Sequence, residues 1–147
     1  PELEIQVLPG VTAATAGAAL LGAPLVHDFA AVSHSDALTP WETIARGLLL
    51  AAEGDFVLCI YNPASKKRPD TLRQAAELLL RRRAPDTPCG LARRIGREGE
   101  ESWLCTLGEL GEQPADMFTT VFVGNSQTQV VNGRLVTPRG YEGKGTL

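Results

Sequence analysis

The chain has 147 residues, of which 44% are hydrophobic, and a formal net charge of -3 at pH 7. This is long enough for one domain with its own core, and the weakly acidic balance argues against a nucleic-acid-binding surface, which is usually strongly basic. No apolar run reaches the roughly 18 residues of a membrane span, and no signal-peptide pattern is visible, so we expect a cytoplasmic protein without a membrane partner.

The three cysteines, Cys59, Cys89 and Cys105, are widely spaced, and each lies in a segment predicted to be a buried strand. An odd number of cysteines in such positions favours small apolar residues in a reducing compartment over a disulfide framework.

The first segment, Leu3–Leu8, alternates in hydrophobicity and predicts a strand that Pro9 stops. Because the pattern begins at once, we expect it to belong to the sheet of a preceding domain and, without that domain, to be frayed or paired with another copy of the chain. The predicted division is 1–9 as the last strand of that domain with a linker, 10–141 as an α/β domain, and 142–147 as a disordered tail.

An alanine-rich helix is predicted over residues 12–21, followed by a short strand at Phe29–Ser33. The next helix is predicted to be capped by Thr39, with Pro40 in its first turn, and to end at Gly54.

The continuous apolar run over residues 55–61 predicts a strand that is buried on both faces and central in its sheet. A helix beginning at Ser65 or Asp70 follows it. The remaining predicted elements are strands at Cys89–Arg93, Ser102–Thr106 and Thr119–Val123, and a hairpin of Gln129–Val131 with Arg134–Val136 around Asn132-Gly133. Together these elements predict an α/β domain whose mixed sheet of about five strands is flanked by helices.

The middle of the chain is cationic: Lys66 to Arg97 contains ten lysines and arginines against three acidic residues. A solvated helix face accounts for such a run, for Arg81–Arg83 in particular. The alternative is attraction of a polyanionic ligand.

Three titratable residues, His27, Asp28 and His34, fall near one another in the sequence. Metal ligation needs three or four convergent ligands, and since the chain has two histidines we expect no metal site. They remain candidates for proton transfer or for lining a substrate cleft.

Several motifs point to one family. They are Leu8–Ala14, Tyr61–Arg68, Gly96–Glu100, Thr119-Thr120, Gly124–Thr128 and Thr137–Tyr141. These segments resemble the S-adenosylmethionine-dependent tetrapyrrole methyltransferases, and within them the precorrin-3B C17-methyltransferase branch. The resemblance implies the carboxyl-terminal half of that fold, a homodimer, and methylation at C17 with ring contraction to precorrin-4 in corrin biosynthesis.

The resemblance also implies S-adenosylmethionine as methyl donor and a tetrapyrrole as substrate. The donor-binding residues that it implies are Pro9, Gly10, Thr12, Ala13, Tyr61, Asn62, Arg94, Ile95, Thr119 and Thr120. For the substrate the candidates are His27, Asp28, Lys66, Lys67, Arg68 and Arg139. Methyl transfer needs positioning rather than a protein nucleophile, which is compatible with the absence of nucleophile motifs.

Two alternatives stay open: another methylase of the same superfamily, or a binding or assembly module without chemistry. The second has weight because family members carry a Gly-Pro-Gly-rich loop and a Gly-Asp-Pro-like loop ahead of the segments seen here. Neither loop is present in this sequence, so half of the expected donor pocket is missing. We therefore expect this chain alone neither to bind the donor tightly nor to turn over. Whether the substrate carries cobalt is open.

Overall fold

A computed structural model describes residues 2–35 and 39–140, so the predicted tail at 142–147 lies outside the described residues. The helices are α1 (Ala13–Leu21), α2 (Trp41–Glu53), α3 (Thr71–Leu79) and α4 (Leu107–Leu110). The strands are β1 (Gly22–Ala23), β2 (Phe29–Ser33), β3 (Val57–Tyr61), β4 (Pro88–Arg93), β5 (Glu101–Thr106), β6 (Thr119–Val123), β7 (Gln129–Val131) and β8 (Arg134–Val136). In the described part of the chain, no helix is both long and apolar enough to cross a membrane.

The main sheet has five strands in the order β2-β3-β6-β4-β5, which confirms the predicted mixed α/β architecture. Strands β2 and β3 are parallel, and β6 runs antiparallel to both β3 and β4. Strand β3 is interior as predicted, but the middle position belongs to β6, whose five residues are all buried. Strand β6 is the last strand of this sheet in the sequence, and it lies between β3 and β4, which both precede it.

The predicted hairpin forms a second, smaller sheet in the order β1-β8-β7. Asn132 and Gly133 both have positive φ, at 50° and 71°, as the mirror-image two-residue turn requires. Strand β1 pairs with β8 in parallel, which joins the end of α1 to the hairpin.

Each face of the main sheet is covered by helices. Leu58 and Ile60 of β3 pack with α2, α3 and α4, whereas Cys59 between them packs with α1 on the other face. This alternation is what a strand covered on both sides requires, and it explains why β3 is a continuous apolar run.

Helix α1 approaches the sheet closely because small residues face it. A Cβ at Gly17 would lie 2.9 Å from the ring of Phe122, and one at Gly90 would lie 2.8 Å from the side chain of Leu21. The approach holds the amino end of α1 against the edge of the sheet where the candidate site lies.

The strand predicted at Leu3–Leu8 does not form: residues 2–12 belong to no helix or strand. Its apolar side chains are exposed, with Val7 at 90%. An alternating sequence becomes a strand only where another strand offers its backbone, and within residues 2–35 and 39–140 none pairs with this segment. Its place in the sheet of another domain stays a prediction.

Two details of the helices differ from expectation. Pro40, not Thr39, is the residue that precedes the first turn of α2, and no side chain caps that helix. Helix α4 was not predicted, although Thr106 and Glu109 form a capping box whose spacing is visible in the sequence.

Candidate functional site

The carboxyl ends of β2, β3 and β4 and the amino end of β6 meet at one edge of the main sheet. Open α/β sheets place their ligands at the carboxyl ends of parallel strands. A cavity of about 320 Å³ lies there, and we name it the first cavity. Its lining residues are Ala13, Tyr61, Asn62, Arg94, Ile95, Arg97, Met117, Phe118, Thr119 and Thr120.

Two strands end at this cavity in the same unusual way. Asn62, which follows β3, and Arg94, which follows β4, have φ values of 51° and 54°. A left-handed backbone is uncommon for residues other than glycine and is found more often at functional sites. Both loops thereby turn sharply at the cavity wall.

The Tyr61 hydroxyl ties α1 to the end of β3. It accepts a hydrogen bond from the backbone N–H of Ala14 at 3.1 Å and lies 2.6 Å from the hydroxyl of Thr12. Thr12 is therefore held beside the first cavity through Tyr61, although it is not part of the lining.

The side-chain oxygen of Asn62 is buried and has no hydrogen-bond partner among the residues that the structure describes. An unpaired buried acceptor costs about 1–3 kcal/mol, so such an atom at a cavity wall marks a place for a donor group from outside.

Thr119 shapes the turn before β6. Its hydroxyl donates to the Asp116 carboxylate at 3.0 Å and accepts from the Asp116 backbone N–H at 3.1 Å. The same carboxylate accepts from the backbone N–H of Phe118. This network fixes a turn that leaves Met117 63% exposed and Phe118 47% exposed.

A second cavity of about 380 Å³ adjoins the first and shares Met117 and Phe118 with it. Its other lining residues are Ser65, Lys66, Lys67 and Asp116. An apolar surface beside two exposed ammonium groups suits a ligand that is both apolar and anionic.

Positive charge also surrounds the first cavity, at Arg94 and Arg97. Glu98 is the acidic neighbour that lines a shallow groove with these two arginines. By contrast, Arg93 is paired: it forms an ion pair with Glu101 and lies over the Trp103 ring, 5.8 Å from its centroid.

The structure brings seven of the ten predicted donor-binding residues together at the first cavity. Pro9 and Gly10 are exposed and line no part of it. A Cβ added to Gly10 would meet no atom of the described chain within 4 Å, so packing within this chain does not require a glycine there.

His27, Asp28 and Arg139 do not lie beside the first or the second cavity, and their predicted contact with the substrate stays a prediction. Asp28 precedes β2, and its carbonyl accepts a hydrogen bond from Val57 at the start of β3, so both lie at the opposite edge of the sheet. The His27 ring lies 3.0 Å from the Arg139 carbonyl.

Arg68 is on the correct edge but is engaged elsewhere. Its guanidinium donates to the backbone carbonyl of His34, and it lines a groove beside Trp41 rather than either cavity. Of the predicted substrate-binding cations, Lys66 and Lys67 line the second cavity, which adjoins the first.

His34 follows β2 and is fully buried, with its ring edge-on to Trp41 at 5.8 Å. Burial lowers its pKa from 6.5 to about 4; the Pro63 carbonyl, which faces the ring without completing a well-formed hydrogen bond, opposes the shift, and the charge of Arg68 adds to it. Its imidazole is therefore neutral at pH 7, and since it lines neither cavity we assign it a packing role.

The buried imidazole predicts a loss of stability in acid. As the pH falls below 6.5 the unfolded chain takes up the proton before the folded protein does, so the free energy of unfolding drops by about 2 kcal/mol between pH 7 and pH 5. Urea titrations should show this drop in the parent and not in His34→Phe, while His27→Gln, altered at an exposed site, keeps it. An equal drop in all three proteins would contradict the assignment.

The opposite edge of the sheet is held by an arginine clamp. The Arg83 guanidinium donates to the Gly124 carbonyl at 2.6 Å and to the Phe56 carbonyl, joining the end of β6 to the start of β3. Nearby, the Ser126 N–H and hydroxyl both donate to the Asp55 carboxylate. The Gly124–Thr128 motif is thus structural, away from both cavities, although it lines a cavity of about 450 Å³ of its own.

Sequence reasoning did not identify Met117, Phe118 or Arg97. An available signal was the pair of large apolar residues directly before a buried strand, in a segment rich in turn residues. Among the described residues, no group of three or more His, Cys, Asp or Glu side chains could hold a metal ion.

Comparison with known proteins gives a consistent result. A family profile described as Tetrapyrrole (Corrin/Porphyrin) Methylases matches residues 1–111. The chain is 47% identical over 140 residues to a protein named probable cobalt-factor III C(17)-methyltransferase from Salmonella typhimurium, covering 95% of this chain and 58% of that protein. It is 46% identical over 146 residues to a precorrin-3B C(17)-methyltransferase from a Sinorhizobium species, covering 96% and 58%.

Among solved structures, the methyltransferase CobJ is similar, with a TM-score of 0.86 and 40% identity over 92% of this chain and 56% of that one. The chain thus spans a little over half the length of these relatives.

Proposed function

The chain belongs to the tetrapyrrole (corrin/porphyrin) methylases, and from that membership we propose that it forms one wall of the active site of a C17-methyltransferase acting on precorrin-3B or cobalt-factor III. The observation that carries the proposal is the convergence of the ends of β3, β4 and β6 on the first cavity, where seven predicted donor-binding residues meet. In this proposal residues 10–141 are the domain that carries this wall, and the opposite wall comes from the part of the relatives that the chain does not cover.

The first cavity fits S-adenosylmethionine, which when bound supplies a methyl group activated on a sulfonium sulfur. Ala13, the first residue of α1, has a small side chain that leaves the cavity open, the unpaired oxygen of Asn62 offers a buried acceptor, and the Tyr61 ring gives an apolar surface. Arg94 and Arg97 are placed to meet a carboxylate. A few convergent polar groups in a mostly apolar cleft are typical of small-molecule sites.

The second cavity receives the macrocycle in this proposal. Met117 and Phe118 offer an apolar surface to the face of the ring, and Lys66 and Lys67 meet its acetate and propionate groups. Because the two cavities share Met117 and Phe118, donor and acceptor are held side by side.

Methyl transfer requires the protein to position donor and acceptor and does not require a protein nucleophile. The bond between the methyl carbon and sulfur breaks as a bond to the ring carbon forms, so positioning at near-attack distance and exclusion of water supply the rate enhancement. No residue is assigned here to the proton transfer that ring contraction requires, because His27 and Asp28 lie at the opposite edge and His34 lines neither cavity.

We also propose, from the resemblance, that the whole enzyme is cytoplasmic and dimeric. An exposed apolar edge, Val130 and Val131 on β7, supports a contact with another protein surface.

The test of the proposal is methyl transfer by an enzyme of the relatives' full length that carries this chain. Precorrin-3B and cobalt-factor III are supplied separately with S-adenosylmethionine, and the product is analysed by mass spectrometry. A product heavier by one methylene, with the label from a methyl-labelled donor, supports the proposal. If the enzyme methylates uroporphyrinogen instead, it is another methylase of the family. If it methylates no tetrapyrrole, the proposal is wrong and the binding-module alternative is favoured.

The substrate site gives a separate prediction. In that enzyme, replacing Lys66 and Lys67 together with glutamine should raise KM for the tetrapyrrole about 5- to 10-fold and leave kcat nearly unchanged, because each exposed ion pair contributes up to about 1 kcal/mol. The control replaces two exposed cations that line neither cavity, Arg46 and Arg81. Equal KM changes in the two variants would mean that net charge alone attracts the substrate.

A further inference from the structure

Two of the three cysteines lie directly opposite each other. Cys89 of β4 and Cys105 of β5 are paired residues in the antiparallel register. Their side chains therefore lie on the same face of the sheet, where both pack against the core beneath α3 and α4. The third cysteine, Cys59, packs on the other face.

The backbone already provides the separation that a disulfide needs. Opposed residues of antiparallel strands have Cα atoms about 4.5–5.5 Å apart, within the range of about 4.4–6.8 Å found in disulfides. Strand β5 is the edge of the main sheet, and among the described residues it pairs with β4 alone, so it can move slightly toward Cys89 without disturbing another strand of that sheet.

The two thiols also differ in the way that a reactive pair requires. Cys105 is half-buried, and the adjacent Cys89 thiol, which donates to the Thr87 carbonyl at 3.6 Å, lowers the pKa of Cys105, while burial and the charge of Glu109 oppose the shift. The adjacent Cys105 thiol together with burial raises the pKa of Cys89, with the backbone of Gly124 and the charge of Arg83 opposing the shift. Cys59 is buried, and burial raises its pKa to about 12, which leaves it unreactive.

We propose that Cys89 and Cys105 are a site of reversible covalent modification, at which hydrogen peroxide converts the two thiols into an intrachain disulfide. The Cys105 sulfur attacks the peroxide, an S–O bond forms as the O–O bond breaks, and the first water leaves. The Cys89 sulfur then displaces the hydroxyl from Cys105 as a second water. Two thiols lose two electrons and two protons, and the peroxide is reduced by the same amount.

The site is separate from both cavities. Cys89 lies at the start of β4, whereas Arg94 follows the end of that strand at the first cavity. The disulfide therefore links β4 to β5 at a distance from the residues proposed to bind the donor. This proposal is independent of the proposed function.

The test treats the purified, folded protein with hydrogen peroxide, blocks remaining thiols with an alkylating reagent after denaturation, and maps the cysteines by mass spectrometry. We expect two of the three thiols to be lost and a disulfide to link the peptides of Cys89 and Cys105, reversed by dithiothreitol. Cys59→Ala should show the same disulfide, and Cys105→Ser should show none.

Each variant is first shown to have the same thermal melting profile as the parent protein. The cysteine map of the parent protein tests the proposal even if a variant fails to fold. Three intact thiols after treatment would overturn the proposal, as would sulfinic acid at Cys105 without the disulfide, a bond to Cys59, or bonds between molecules only.

Discussion

Replacing Arg83 with alanine is expected to lower the free energy of unfolding by about 4 kcal/mol. The side chain donates to two backbone carbonyls, those of Gly124 and Phe56, and hydrogen bonds from a charged donor contribute about 1.5–3 kcal/mol each. Alanine leaves both carbonyls without that donor, at the point where the end of β6 meets the start of β3. Urea denaturation followed by circular dichroism measures the change.

The neighbouring residue is the control. Arg82 forms an ion pair with Glu53 at 2.8 Å, and both side chains are close to half-exposed. Such pairs contribute at most about 1 kcal/mol, so Arg82→Ala should cost far less than Arg83→Ala. Comparable losses in the two variants would show that the clamp does not hold the sheet edge.

Filling the first cavity is expected to abolish most activity while the fold is kept. In an enzyme of the relatives' full length, Ala13→Phe should lower kcat/KM for S-adenosylmethionine about 100-fold, because the ring occupies the wall where the donor is proposed to lie and a small displacement already costs that much. Initial rates at varied donor concentration measure it.

Ala19→Phe is the matched variant, since Ala19 is exposed on the same helix and lines no part of the cavity. It should retain activity within about twofold, as most surface substitutions do. If both variants lose activity equally, the effect belongs to α1 as a whole and the cavity is not the donor site.

Much of the fold was predictable because local signals and tertiary environment agree. The run at β3 is apolar because both its faces are covered, and the Asn132-Gly133 turn fixes its hairpin by itself. The segment Leu3–Leu8 shows the limit: its alternation is genuine, yet a strand needs a partner, and pattern alone does not supply one.

The site was predictable only in part, and for a different reason. Ala13, Tyr61 and Thr120 were identified through the family resemblance, and their convergence depends on a strand order that the sequence does not display. His27 and His34 are seven positions apart, yet the intervening strand places them at opposite edges of the sheet.

The cationic run shows the same limit. Arg82 and Arg83 are neighbours in the sequence, and composition treats them alike. Arg82 lies on a solvated face as predicted, whereas Arg83 is bound to two carbonyls. The difference arises because the residue after β6 and the residue before β3 place their carbonyls beside Arg83. The sequence does not show which of two adjacent arginines these carbonyls contact.

Amide hydrogen exchange with S-adenosylhomocysteine, measured on an enzyme of the relatives' full length that carries this chain, tests the central claim most directly. The ligand should slow exchange at residues 94–97 and 117–120, which line the first cavity, and leave residues 124–128 at the opposite edge unchanged. Protection at 124–128 alone, or no protection in either segment at a saturating ligand concentration, would contradict the account.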